Sequence, residues 1–146
     1  MNLGGISRAL VAGAVATAAM TMMAYFVAPM MLGHPMDIAQ MLAGLVGGNW
    51  TAGLLMHLMN GIVVFPFIYT FILYRFLPGA PWLKGILWGV ALWLTLELVM
   101  LPMMGAGVFS SIEGGSRAVM AALIAHLIYG ALLGSLTGVV AEPAAA

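Results

Sequence analysis

The sequence contains no cysteine and little charge: a chain of 146 residues has four Lys and Arg and four Asp and Glu, or 5% charged residues. The missing cysteine excludes disulfides, thiolate metal sites, cysteine-ligated iron–sulfur clusters and covalently attached c-type haem. A formal net charge of zero leaves no basic patch for nucleic acid. Globular domains are usually about one quarter charged, so this composition also excludes a soluble domain.

Hydrophobic residues make up 64% of the chain, and its mean hydropathy is +1.15. The strict alternation of a membrane β-barrel is not visible, so the apolar stretches predict transmembrane helices of about 20 residues. Charges and turn residues divide the chain into four such stretches, at residues 6–28, 52–74, 82–104 and 118–140. We predict an all-α integral membrane four-helix bundle, a single membrane domain over residues 1–146.

Prolines and glycines suggest where these helices bend or end. The first span is expected to end at Pro29, and Pro66 is expected to kink the second. In the long connection between them, residues 36–46 predict a short helix, because Pro35 and Asp37 suit its first turn. Its apolar composition predicts that it lies at the membrane interface.

The two halves of the chain resemble each other. Residues 53–61 align with residues 122–130, and each block follows a Gly-Gly pair. The first helix of each half also ends in a Pro-Met-Met triplet. We predict a tandem repeat of a transmembrane helical hairpin, in which the second and fourth helices run in the same direction and hold their histidines at corresponding heights.

The few basic residues predict an orientation. Arg8, Arg75 and Lys84 lie on one side of the predicted membrane, and Arg117 alone lies on the other. Because positive residues concentrate in the cytoplasm, both the N-terminus and the C-terminus are expected there.

Two histidines have small residues one turn above and below them on the same helix face. These sets are Gly53, His57 and Gly61, and Ala122, His126 and Gly130. Each leaves a flat slot beside the imidazole that suits haem b or another tetrapyrrole with axial histidine ligation. The spacing resembles the ligand helices of b-type cytochromes and of bacterial light-harvesting polypeptides. The alternative is close helix packing, which small residues also promote.

Glu97 is the only acidic residue within a predicted span. An intramembrane carboxylate costs about 2.5–3.5 kcal/mol and by default indicates a functional site. It could act in a proton relay or as a ligand to an ion, and His57 or His126 is its expected hydrogen-bond partner. The alternative is a neutral acid that joins helices or contacts a partner subunit.

Apart from the initiator, the chain has thirteen methionines. On the predicted topology all of them fall in the outer half of the membrane spans or in the outer connections. Thioethers and imidazoles are copper ligands. An outer-face metal site formed by Met56, Met59, His57, His126 and Glu97 is therefore a further possibility. Methionine is also an adaptable packing residue at interaction surfaces, and we consider packing the better interpretation.

The repeated hairpin and the segment Gly-Ala-Val-Ala-Thr-Ala-Ala-Met at residues 13–20 resemble small four-helix bacterial inner-membrane proteins of uncharacterised function. This resemblance implies a multi-pass protein of the bacterial cytoplasmic membrane and carries over no functional residues.

The sequence shows no nucleophile–base pair, phosphate loop or zinc motif, so we predict no enzyme activity. We predict instead a non-catalytic accessory or scaffold subunit of a larger membrane complex, respiratory or photosynthetic in kind. It would contact the lipid bilayer, and it would contact other membrane subunits through small-residue and Met-rich helix faces. The first helix offers one small-residue face, formed by Ala9, Ala12, Gly13, Ala16, Thr17 and Thr21.

Overall fold

A computed structural model describes residues 3–112 and 114–138, and these residues form helices and no strand. Four helices are long and apolar enough to cross a membrane: α1 (Leu3–Leu32), α3 (Trp50–Leu73), α4 (Pro81–Met103) and α5 (Gly115–Gly138). A short helix, α2 (Ile38–Ala43), precedes α3. The prediction of an all-α integral membrane protein with four spans is confirmed, and the chain is a multi-pass membrane protein.

The helix bounds lie close to the predicted ones, with one difference that affects the fold. α1 does not end at Pro29 but continues through it to Leu32. The predicted last two residues of the fourth span, 139–140, lie outside the described residues.

A π-helical turn precedes the internal proline of each of the first three long helices. Five-residue π turns end two positions before the proline in α1, α3 and α4: Met23–Val27 before Pro29, Asn60–Val64 before Pro66, and Leu96–Met100 before Pro102. Proline lacks an N–H and clashes with the carbonyl one turn earlier in a regular α-helix. The wider turn accommodates the ring, and each helix continues beyond its proline.

Helix α5 packs closely against α4 through glycines. Gly85 and Gly89 of α4 face Gly130 and Gly134 of α5, and a Cβ atom at Gly85 would collide with the carbonyl oxygen of Gly130. Without side chains between them, the two backbones touch. This contact is the most extensive helix pairing in the described part of the chain.

The opposite side of α5 packs against α1. Ala16 of α1 belongs to one buried cluster with Tyr129 and Leu133 of α5. Nearer the C-terminal end of α1, Met23 packs with Ala125 of α5. α5 therefore lies between α1 and α4 and holds the bundle together.

The short helix α2 is shorter and more buried than predicted. The Asp37 side chain caps its first turn by accepting the Gln40 N–H at 2.9 Å. Ala39 and Ala43 are 3% and 0% exposed, because they pack against Gly53 of α3. The apolar face of α2 thus packs against the neighbouring helices, and its position at the membrane interface stays a prediction.

Candidate functional site

His57 lies on α3 and is buried against α1. Its Nε2 atom is 2.9 Å from the Thr21 hydroxyl oxygen, and that hydroxyl donates its proton to the Thr17 carbonyl at 2.8 Å. A hydroxyl has one proton, so Nε2–H of His57 is the donor to Thr21. The imidazole therefore joins α3 to α1.

His126 is half-buried on α5 and is hydrogen-bonded within its own helix. Its Nδ1 atom is 2.8 Å from the Ala122 carbonyl oxygen, which can only accept, so Nδ1 carries the proton. The Nε2 atom then holds a lone pair. The two imidazoles thus have different hydrogen-bond partners, Thr21 for His57 and Ala122 for His126.

The Tyr129 hydroxyl donates to the Gly61 carbonyl at 2.8 Å, in the buried interior. Tyr129 follows His126 by about one turn, and Gly61 follows His57 by one turn. This hydrogen bond therefore sets the two histidines at similar depth.

The small residues beside the histidines contact other helices. Gly53 faces the backbone of Ala39 and Ala43, Gly61 faces Thr17, and Gly130 faces Gly85 and Gly89, while Ala122 is 4% exposed. The space that would lie beside each imidazole is occupied by neighbouring backbone and side chains. These glycines therefore permit close helix contact, and the tetrapyrrole interpretation stays a prediction.

Glu97 lies away from the histidines, beneath the connection between α4 and α5. It is 0% exposed, and the Ser110 hydroxyl donates to its Oε2 atom at 3.4 Å. The Trp93 indole N–H donates instead to the Val119 carbonyl at 3.3 Å. In the described part of the chain neither histidine is hydrogen-bonded to the carboxyl group, so Ser110 takes the place of the expected partners.

The methionines of the predicted metal site have different surroundings. Met56 packs against a buried cluster of Ala24, Ile38 and Leu42, whereas Met59 is 56% exposed. Across residues 3–112 and 114–138, no three His, Asp or Glu side chains converge as ligands for a metal ion. The copper interpretation also stays a prediction.

A lateral groove of about 370 Å³ lies between α1 and α3. Its lining residues are Ala14, Thr17, Ala18, Thr21, Met22, Leu58 and Ile62. Ala14 and Ala18 are exposed at this surface, whereas Ala12 and Ala16 of the predicted small-residue face are buried inside the bundle. Thr17 and Thr21 of the predicted face do line this groove. Ala14 and Ala18 were not predicted, although they have the same four-residue spacing.

One of the residues that line this groove has a buried hydroxyl. Thr17 is 2% exposed, and its Oγ1 atom has no hydrogen-bond partner among the described residues. Buried polar groups are usually hydrogen-bonded, because leaving one unpaired costs free energy. This hydroxyl faces Gly61 of α3 and is closed off from the groove surface, so the groove itself presents small apolar walls.

The comparisons with known proteins leave the function open. No curated protein and no solved structure matches the chain. Residues 3–146 match the Family of unknown function (DUF6789), in agreement with the predicted resemblance to an uncharacterised family. The protein belongs to the DUF6789 family.

Proposed function

We propose that this protein is a non-catalytic accessory subunit of a larger membrane complex, and that the groove between α1 and α3 receives a transmembrane helix of a partner subunit. The single observation that carries the proposal is the apolar groove itself, in which Ala14 and Ala18 are exposed one turn apart. Ala14 and Ala18 let a second helix approach closely, as small residues do at membrane helix contacts.

A helix fits this groove better than a lipid chain does. An acyl chain would fill the apolar volume without needing small residues at a fixed spacing. Ala14 and Ala18 are four residues apart, the spacing at which membrane helices approach each other closely. A helix in the groove would therefore cover the apolar walls and use this spacing.

The location of the protein is part of the same proposal. It would lie in the bacterial cytoplasmic membrane with both termini in the cytoplasm. Three basic residues at one end of the bundle support this orientation, since Arg8 lies near the start of α1 while Arg75 and Lys84 flank the connection between α3 and α4. Arg117 alone lies at the other end.

Co-purification from the native membrane tests the proposal. Tagged wild-type protein, extracted in a mild detergent, is expected to retain one membrane protein in a fixed ratio. Ala18→Leu fills the groove and is expected to reduce that ratio at least about tenfold, which corresponds to about 1.4 kcal/mol of binding free energy.

Ala91→Leu is the matched control, because Ala91 is also exposed but lies on α4, away from the groove. It is expected to keep the partner at the wild-type ratio. Recovery of wild-type protein without any partner in a fixed ratio would contradict the proposal. Equal loss in both variants would show that the contact does not involve the groove.

A further inference from the structure

Each of the three π turns that precede a proline contains one backbone carbonyl that cannot form the usual π-helical hydrogen bond. In a π turn the N–H of residue i+5 bonds the carbonyl of residue i. Proline has no N–H, so the carbonyl five residues before each proline receives no such bond. In α1, α3 and α4 these carbonyls belong to Ala24, Gly61 and Glu97.

Two of these carbonyls have replacement donors. The Met36 N–H, from the segment before α2, donates to the Ala24 carbonyl at 3.0 Å. The Tyr129 hydroxyl donates to the Gly61 carbonyl at 2.8 Å. In both cases a distant part of the chain supplies the missing hydrogen bond.

The third carbonyl, that of Glu97, is different. Within residues 3–112 and 114–138 it has no donor from a loop or a side chain. The same residue carries a carboxyl group with 0% exposure whose Oε1 atom has no hydrogen-bond partner in that part of the chain. One carboxyl oxygen of this buried residue therefore remains without a hydrogen bond, close to a carbonyl that the missing Pro102 N–H cannot reach.

The connection after α4 adds a third oxygen. The Ser110 hydroxyl lies 3.4 Å from the Glu97 Oε2 atom, and Ser110 is 4% exposed. Phe109 and Ser110 both have left-handed backbone, with φ of 51° and 50°, which is unfavourable for residues other than glycine. The centroid of the Phe109 ring lies 5.8 Å from that of the Trp93 ring. The fold thus holds a strained turn over the carboxyl group, and such strain is concentrated at functional sites.

We propose that Glu97 and Ser110 bind a monovalent metal cation, Na⁺, at the outer end of α4. Carboxylate, carbonyl and hydroxyl oxygens are hard ligands that favour such ions over copper. One carboxylate balances one positive charge, and no Lys or Arg forms an ion pair with Glu97 in the described ranges. Carbonyls released by interrupted membrane helices are used in this way in ion-coupled transporters.

Thermal unfolding of the purified full-length protein tests the site. NaCl is exchanged for choline chloride at constant ionic strength, and the melting temperature Tm is measured at each Na⁺ concentration. Na⁺ is expected to raise Tm in a saturable manner, because a ligand that binds only the folded state stabilises it. Glu97→Gln is expected to abolish the rise.

Asp37→Asn is the matched control, because Asp37 is a carboxyl group outside the spans that caps α2. It is expected to keep the Na⁺-dependent rise. Ser110→Ala is expected to raise the half-saturating Na⁺ concentration several-fold, and it serves as the test if Glu97→Gln does not fold. Equal Tm of the wild type in both salts would overturn the proposal. So would a Na⁺ response unchanged by both substitutions.

Discussion

Tyr129 illustrates, at the scale of the residue, how one side chain completes a backbone that proline interrupts. Its hydroxyl is the donor to the Gly61 carbonyl, which the absent N–H of Pro66 leaves without a helical partner. A buried carbonyl cannot turn to water, so its hydrogen bond depends on this tyrosine. Tyr129 is therefore a structural requirement of the Pro66 site.

Tyr129→Phe is expected to lower the free energy of unfolding by about 1–2 kcal/mol, since it removes a buried hydrogen bond to that carbonyl. Pro66→Ala restores an N–H that can reach Gly61. In the Pro66→Ala background, Tyr129→Phe should lower the free energy of unfolding by less than it does in the wild type. Reversible unfolding of the four proteins in mixed detergent micelles measures both changes. An identical cost in both backgrounds would contradict this account.

Asp37 provides a pH-dependent contribution outside the membrane spans. Partial burial raises the pKa of its carboxyl group, but hydrogen bonds from the Gln40 N–H, the Trp50 indole and the Tyr25 hydroxyl lower it more, so the pKa lies below its usual value. The stabilisation is then present above the unfolded pKa of 3.8 and is lost as the pH falls through the folded value.

The Tm of Asp37→Asn is therefore expected to lie below that of the wild type above pH about 5, and the difference in Tm is expected to shrink as the pH falls below about 4. Melting curves of the wild type and the variant across that pH range measure the difference. A difference in Tm that stays constant with pH would show that the charge of Asp37 does not contribute.

At the scale of the element, glycine pairs decide how closely helices meet. Gly85 and Gly89 against Gly130 and Gly134 bring α4 and α5 into backbone contact. Both pairs have the small-xxx-small spacing that favours membrane helix association. The signal was present in the sequence, but the interpretation of Gly130 as part of a cofactor slot obscured it.

Gly85→Ala is expected to lower the free energy of unfolding by about 1–3 kcal/mol, because its Cβ meets the Gly130 backbone and cannot be accommodated by a side-chain rotation. Ser135→Val adds volume at an exposed position of α5 and should change the free energy of unfolding by less than about 0.5 kcal/mol. Unfolding of both variants and the wild type in micelles measures these changes. A harmless Gly85→Ala would mean that the two helices are not in backbone contact.

Elements differed in how well the sequence predicted them. The four spans were predictable, because apolar length alone determines a transmembrane helix. The burial of α2 was not, since it depends on Gly53 of a later helix accepting Ala39 and Ala43. Ser110 was missed as the partner of Glu97, because its position depends on a left-handed turn that no residue type in the segment favours.

At the scale of the whole molecule, the proposed orientation rests on a small difference in positive charge between the two ends of the bundle. The natural chain has no cysteine, so single cysteines can be introduced without a background. Ser111→Cys and Ala80→Cys place thiols at exposed positions at opposite ends of the bundle. In intact cells a membrane-impermeant maleimide is expected to label the first and not the second. The reverse pattern would contradict the proposed topology.

The central claim is that the groove between α1 and α3 holds a partner helix. Photo-crosslinking in the native membrane tests it most directly, with a photoreactive amino acid at position 18 in the groove or at position 91 on α4. The account predicts one discrete protein adduct from position 18, at a defined mass, and none from position 91. Adducts with lipid alone at position 18, or the same protein adduct from both positions, would contradict it.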